Sequence, residues 1–148
     1  MSDELHVIVV AAAVVERNGA FLLTRRLKGT HLAGAWEFPG GKCELGEGAE
    51  DCLVREIREE LAARAHVGER ILVTRHDYPE RTVELHFFWA TLDGEPSPQL
   101  GQQLRWVPRS ELATLDLPEA DADLIRLLVA SPDVRAATFT RGQIEGQF

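Results

Sequence analysis

Apolar and polar positions along this chain repeat with two different periods. Residues 6–15, HVIVVAAAVV, form an unbroken β-branched and alanine run, the pattern of a strand buried on both faces. Arg17, Asn18 and Gly19 follow. Asn-Gly is a two-residue hairpin signal, so residues 20–26 read as a returning strand. Residues 27–35, with Gly29 and Gly34, read as a loop. The period then changes. Ala49, Leu53, Ile57 and Leu61 recur every fourth residue, the stripe of a helix buried along one side. That helix is expected over about residues 49–64, with Gly46 and Gly48 before it and Gly68 after it.

Residues 67–78 and 81–92 predict two long antiparallel strands around Pro79 and Glu80. In the second, Val83, Leu85, Phe87 and Trp89 alternate with Glu84, His86 and Phe88. Residues 93–103 are rich in Gly, Pro, Ser and Gln and read as a loop. A short strand at 104–107 and a helical turn at 109–114 follow. Asp116 is placed to cap a last helix with Pro118 in its first turn, which runs to about residue 130 on a stripe of Leu124, Leu127 and Leu128. The order β, β, helix, β, β, β, helix predicts an α/β fold, a mixed sheet between helices on two faces. One domain over residues 1–148 is expected, with its core at about 5–130. Residues 131–148 show no period and stay unassigned.

Composition narrows the function classes. A chain of 148 residues is long enough for one full core. A formal net charge of −8 argues against a broad footprint on DNA or RNA. It admits an anionic small molecule only where cations mediate the contact. The five histidines are scattered, and Cys43 and Cys52 form no CxxC, so neither a zinc site nor a disulfide framework is expected. A reducing, cytoplasmic setting is the plain reading. The apolar run at 7–15 is too short to span a membrane and follows acids instead of a basic segment.

Candidate chemistry concentrates in GGKCELGEGAEDCLVREIREELAA, residues 40–63. Seven acids and two arginines, Arg55 and Arg58, lie between Glu44 and Glu60. Glu56, Glu59 and Glu60 are three and four apart, so a helix projects them to one side. Glu60 follows Leu53 by two turns, only ~20° round the helix from a core position. A carboxylate there is costly unless something positive meets it. An acidic helix face by itself reads as solvated surface. Here the acids border the apolar stripe, and Pro39-Gly40-Gly41 lies just upstream, a turn that lets backbone groups approach a ligand closely. A bound divalent cation answers both features.

The spacing of Gly41, Glu47, Arg55, Glu56, Ile57, Glu59 and Glu60 resembles the Nudix box. Ala62 and Ala63 stand where that motif carries a glycine and an apolar residue. The resemblance covers most of residues 5–130 and implies an α/β/α sandwich that hydrolyses a nucleoside diphosphate linked to another group. It implies Glu56 and Glu60 as the principal Mg²⁺ ligands, helped by Glu59 and the Gly40 carbonyl, with Mn²⁺ as a substitute. Glu56 would double as the base, and Glu47 with Arg55 would form a supporting ion pair.

Thr24-Arg25-Arg26, His31 and residues 37–42 narrow the resemblance to MutT-type pyrophosphohydrolases. The likeness implies that Arg26 and His31 reach phosphate or sugar, that Glu37 and Phe38 line the pocket, and that Asp121 reads the base. Alternatives stand beside each of these. The two arginines of the second strand also read as edge charges, Trp36 and Phe38 as core plugs, Lys42 as a phosphate contact or a solvated lysine, and Asp121 as a solvated first-turn acid. An ionised Asp only accepts hydrogen bonds, which suits N–H groups of guanine or the amino group of cytosine. Leu100 departs from the pattern, because an acid often occupies that position ahead of Gly-Gln.

The expected activity is hydrolysis of a (deoxy)nucleoside triphosphate to monophosphate and pyrophosphate. The first candidate is 8-oxo-dGTP, with CTP or a modified dCTP as rival. A nucleotide sugar or dinucleoside polyphosphate, and a non-enzymatic nucleotide-binding module, remain as alternatives. The expected partner is a small nucleotide, with no stable nucleic-acid or membrane binding, and the chain is a monomer or a homodimer.

Overall fold

The structure is a computed structural model that describes residues 7–25 and 34–130. Its strands are β1 (Val7–Val14), β2 (Glu16–Arg17), β3 (Ala20–Arg25), β4 (Trp36–Glu37) and β5 (Gly40–Lys42). After helix α1 (Ala49–Leu61) come β6 (Arg64–Tyr78), β7 (Arg81–Asp93) and β8 (Gln103–Pro108), then helix α2 (Ala122–Ala130). Two 3₁₀ segments, Arg109–Thr114 and Glu119–Asp121, lie between β8 and α2.

The main sheet has the order β5-β1-β7-β6. β1 runs parallel to β7, and β5 and β6 are antiparallel to their neighbours. The mixed sheet expected from the sequence is therefore present. A second, smaller antiparallel sheet joins β2, β3 and β4, with β8 on β3. The β2–β3 hairpin turns at Asn18 and Gly19, both at positive φ (51° and 79°), as an Asn-Gly turn requires.

Alternation along β1 and β7 separates two cores. Ala11, Ala13, Phe88, Ala90 and Leu92 face the fully buried Leu53, Ile57 and Leu61 of α1. Ala12, Val14, Phe87 and Trp89 face Leu112, Leu124 and Leu128 on the other side. Small alanines on β1 let α1 approach the sheet closely. Each fully buried Leu or Ile contributes roughly 1.5–3 kcal/mol of transfer free energy.

Three boundaries differ from expectation. α1 ends at Leu61, not at residue 64, because Ala62 turns left-handed (φ 52°) with its N–H on the Arg58 carbonyl. β6 then begins at Arg64 and shifts register twice between Val67 and Leu72. Asp116 does not cap the last helix. Residues 119–121 form a 3₁₀ turn, so α2 starts only at Ala122 and Asp116 does not stand at its N-cap position. The Asp116 carbonyl instead accepts the Trp36 N–H at 2.9 Å. Strands β4 and β5 are also additions, in a stretch that reads as a turn from sequence.

Candidate active site

β5 is the edge strand beside β1, and α1 packs against it. The two glycines make this approach possible. A Cβ on Gly40 would stand 2.0 Å from the Ala11 carbonyl oxygen, and one on Gly41 would stand 2.2 Å from Oε1 of Glu56. The backbone is therefore bare where the helix presents Glu56. Ala13 N–H to Pro39 O (2.8 Å) and Cys43 N–H to Val9 O (2.9 Å) hold the two ends of the strand in place.

Arg55 ties the loop to the helix. Its Nε and Nη2 donate to the two carboxylate oxygens of Glu47, both at 2.8 Å, a bidentate pair of the strong kind. Nη2 also donates to the Lys42 carbonyl at 3.1 Å. Nη1 donates to Glu56 at 3.0 Å and to Glu59 at 3.3 Å. The guanidinium holds the Glu47 carboxyl at about 2, well below its ordinary range, and the Glu44 N–H assists it.

Glu60 behaves in the opposite way. Burial, then the charge and hydrogen bond of Glu56, then the charges of Glu37 and Glu59 push its carboxyl up to about 8. Arg55 answers Glu47 and Glu56, whereas Glu60 is left facing like charge. The backbone of Glu60 is well held. Its carbonyl accepts from Gln99 N–H at 2.9 Å and from Gln102 Nε2 at 3.3 Å, and Ser97 N–H reaches the Leu61 carbonyl at 2.8 Å. The 94–102 loop thus satisfies the helix's last carbonyls.

A cleft of about 450 Å³ opens here. Among its lining residues are Glu37, Phe38, Gly40, Lys42, Glu60 and Asp121. Phe38 is both wall and core, since it is buried and meets Phe87 edge-on at 6.1 Å between centroids. Asp121 is only 5% exposed, which removes the reading of it as a solvated first-turn acid. Leu100, 56% exposed, also faces the cleft. Lys42 is exposed at the rim. Arg25 is occupied structurally, with Nε on the Gly34 carbonyl (2.9 Å) and Nη1 on Gln103 (3.2 Å). Arg26 and His31 lie outside the described residues.

The sequence reading gave no site role to Thr24, Tyr78, Arg81 or Gln102, which all stand in the cleft wall. Tyr78 and Arg81 flank the expected Pro79-Glu80 turn, but no local pattern says which way that hairpin tip leans.

A divalent cation fits this donor set in chemistry. Glu56 and Glu60 are hard oxygen donors beside the Gly40–Gly41 backbone, and the crowding of carboxylates around Glu60 is what a cation would relieve. Among the described residues, no three His, Cys, Asp or Glu side chains are already drawn together to hold a metal ion. Glu56 and Glu60 are in contact, while Glu59 is turned to Arg55.

A NUDIX domain model matches residues 10–127. A CTP pyrophosphohydrolase of Escherichia coli is 36% identical over 90% of this chain and 99% of its own length. An 8-oxo-dGTP diphosphatase of Haemophilus influenzae is 35% identical over 83% of this chain and 92% of its own. The solution structure of the E. coli ORF135 protein superposes with a TM-score of 0.79 at 35% identity, covering 90% of this chain and 96% of that one. The chain belongs to the Nudix family. It is a Nudix hydrolase, of a family whose enzymes generally need a divalent metal.

Proposed function

We propose that the protein is a Mg²⁺-dependent pyrophosphohydrolase that cleaves a nucleoside triphosphate to the monophosphate and pyrophosphate, with 8-oxo-dGTP as its substrate. The observation that carries the proposal is the sharing of one cleft by Glu60 and the buried, base-facing candidate Asp121, with the Phe38 ring in the same wall. An acidic site repels a triphosphate unless a cation stands between them. Mg²⁺ suits the oxygen donors of Glu56, Glu60 and Glu59 and the Gly40 carbonyl. When bound, it neutralises phosphoryl charge and makes a water more acidic.

The remaining work belongs to the chain. Glu56, oriented by Arg55 at 3.0 Å, accepts the proton of the attacking water. Glu47 and Arg55 keep the loop at its distance from the helix. Lys42 meets phosphate at the rim, and Glu37 shapes the acid end of the cleft. Arg26 and His31 are assigned to phosphate or sugar on the resemblance alone. Asp121 accepts hydrogen bonds, which suits 8-oxoguanine because oxidation adds an N7–H donor to those at N1 and N2.

CTP is the second reading. It is favoured by the CTP pyrophosphohydrolase that aligns over nearly its whole length, and an acceptor at Asp121 also suits the cytosine amino group. A panel of nucleotides with Mg²⁺ decides between them. The highest kcat/KM is expected for 8-oxo-dGTP, with Asp121→Ala lowering that preference. A preference for CTP or modified dCTP overturns the oxoguanine assignment, and no release of pyrophosphate from any of them overturns the activity. The localisation proposed is cytoplasmic, and among the described residues no helix is long and apolar enough to cross a membrane.

A further inference from the structure

Glu60 stands in the last turn of α1, just before the chain leaves the helix at Ala62. Its carbonyl has no partner within the helix, and helix ends fray unless other groups hold them. Three groups of the following connection hold this one. Gln99 N–H donates to the Glu60 carbonyl at 2.9 Å, and Ser97 N–H to the Leu61 carbonyl at 2.8 Å. The third group is a side chain. Nε2 of Gln102 donates to the same Glu60 carbonyl at 3.3 Å, while its Oε1 accepts the Leu100 N–H at 2.8 Å.

Gln102 is buried, and both ends of its amide are used. A carboxamide serves these two neighbours because one is a donor and the other an acceptor. An ionised carboxylate of the same length lacks the donor, and a thioether chain lacks both groups. Between Leu100 and Gln102, Gly101 turns at a φ of 78°, in the left-handed region that glycine favours. That turn brings the side chain of residue 102 back to the amide of residue 100. Glu60, Leu100 and Gln102 all line the cleft. The amide therefore ties the backbone that carries the Glu60 carboxylate to the backbone that carries Leu100.

We propose that Gln102 is a positioning residue for the cation site, whose amide holds Glu60 and Leu100 at a fixed spacing so that the Glu60 carboxylate is already in place when the ion arrives. The proposal rests on the reading of Glu60 as a cation ligand. Gln102 touches neither ion nor nucleotide and acts only through Glu60. Holding the carboxylate in advance matters because ordering it on binding would take its cost from the affinity. Groups that orient a metal ligand from behind change metal affinity or activity by roughly 10–100-fold. A single hydrogen bond acting through the backbone belongs at the low end of that range, about tenfold.

The test measures Mn²⁺ binding to the full chain without nucleotide, by the paramagnetic resonance of the free ion, beside the melting temperature in metal-free buffer. Gln102→Met keeps the length and removes both hydrogen bonds. Its Mn²⁺ affinity is expected to fall by about tenfold with the melting temperature little changed. Glu60→Gln also weakens binding, and the double variant should be no weaker than Glu60→Gln alone, because the two residues act as one unit. Parent-like affinity in Gln102→Met overturns the positioning role. So does a double variant whose loss is the product of the two single losses, since Gln102 would then act apart from Glu60. Undiminished affinity in Glu60→Gln overturns the reading of Glu60 as a ligand, and the role of Gln102 falls with it.

Should Gln102→Met fail to fold, amide hydrogen exchange in the parent chain decides. The Leu100 N–H is expected to be protected and to exchange more slowly still with Mg²⁺ present, because the ion and the clamp favour the same arrangement. Exchange at the rate of an open loop, or no response to Mg²⁺, overturns the proposal.

Discussion

Arg55 sets how much negative charge the loop and helix can hold together. Its five hydrogen bonds go to Glu47, Glu56, Glu59 and the Lys42 carbonyl, and Glu60 is not among their acceptors. Arg55→Lys keeps the charge but loses the planar fork. Lower thermal stability and lower kcat/KM together are the expected outcome, and an unchanged melting temperature would show that the fork is dispensable. Glu60→Gln removes the carboxylate that like charge destabilises. Turnover should fall by roughly 10²–10⁴, the range for losing a catalytic group, while the melting temperature at pH 8 holds or rises. Undiminished rates would take Glu60 out of the site. Leu100 faces the same cleft as Glu60, so Leu100→Glu should tighten divalent-cation binding in titration calorimetry. An unchanged cation affinity would mean that the side chain points away from the ion.

Among the elements, α1 carries both the core and the chemistry, and its weakest point is its exit. Ala62 occupies a left-handed conformation that an L-residue adopts at a cost and a glycine adopts freely. Ala62→Gly should therefore stabilise the fold by about 0.5–1 kcal/mol, read from chemical denaturation. A destabilised variant would show that the Ala62 methyl packs usefully. The sequence marked this position as a departure from the box motif, and the backbone shows what the departure does. The buried stripe of α1 was equally legible, since Leu53, Ile57 and Leu61 are all fully buried. The start of α2 was not. Pro118 and Asp116 look like helix-start signals, but a 3₁₀ turn intervenes and carries Asp121 into the cleft wall. Local capping rules cannot foresee that choice, because it depends on what the turn packs against.

Across the whole molecule the two perturbed carboxylates make stability depend on pH in opposite senses. Glu60 has a folded value raised to about 8, so its contribution is complete below the unfolded value near 4.5 and is lost as pH rises through 8. Glu47 is depressed to about 2; its contribution is present above 4.5 and is lost as pH falls towards 2. Without divalent cations, the melting temperature should therefore decline between pH 5 and 8, and Mg²⁺ should restore it most at the alkaline end. A melting temperature that climbs steadily over that range in metal-free buffer would contradict the account of Glu60.

The linear chain by itself determined the periods, and with them the central strand, the hairpin, the amphipathic helix and the register of acids against its apolar stripe. These follow from short-range geometry, where the identity of a neighbour three, four or two residues away settles which face a side chain takes. Tertiary structure alone decided two juxtapositions of distant segments: Asp121 sharing a cleft with Glu60, and the 94–102 loop closing on the end of α1. Each depends on how the edge strand, the helix and the long connections pack in space, and no repeat along the sequence encodes that packing.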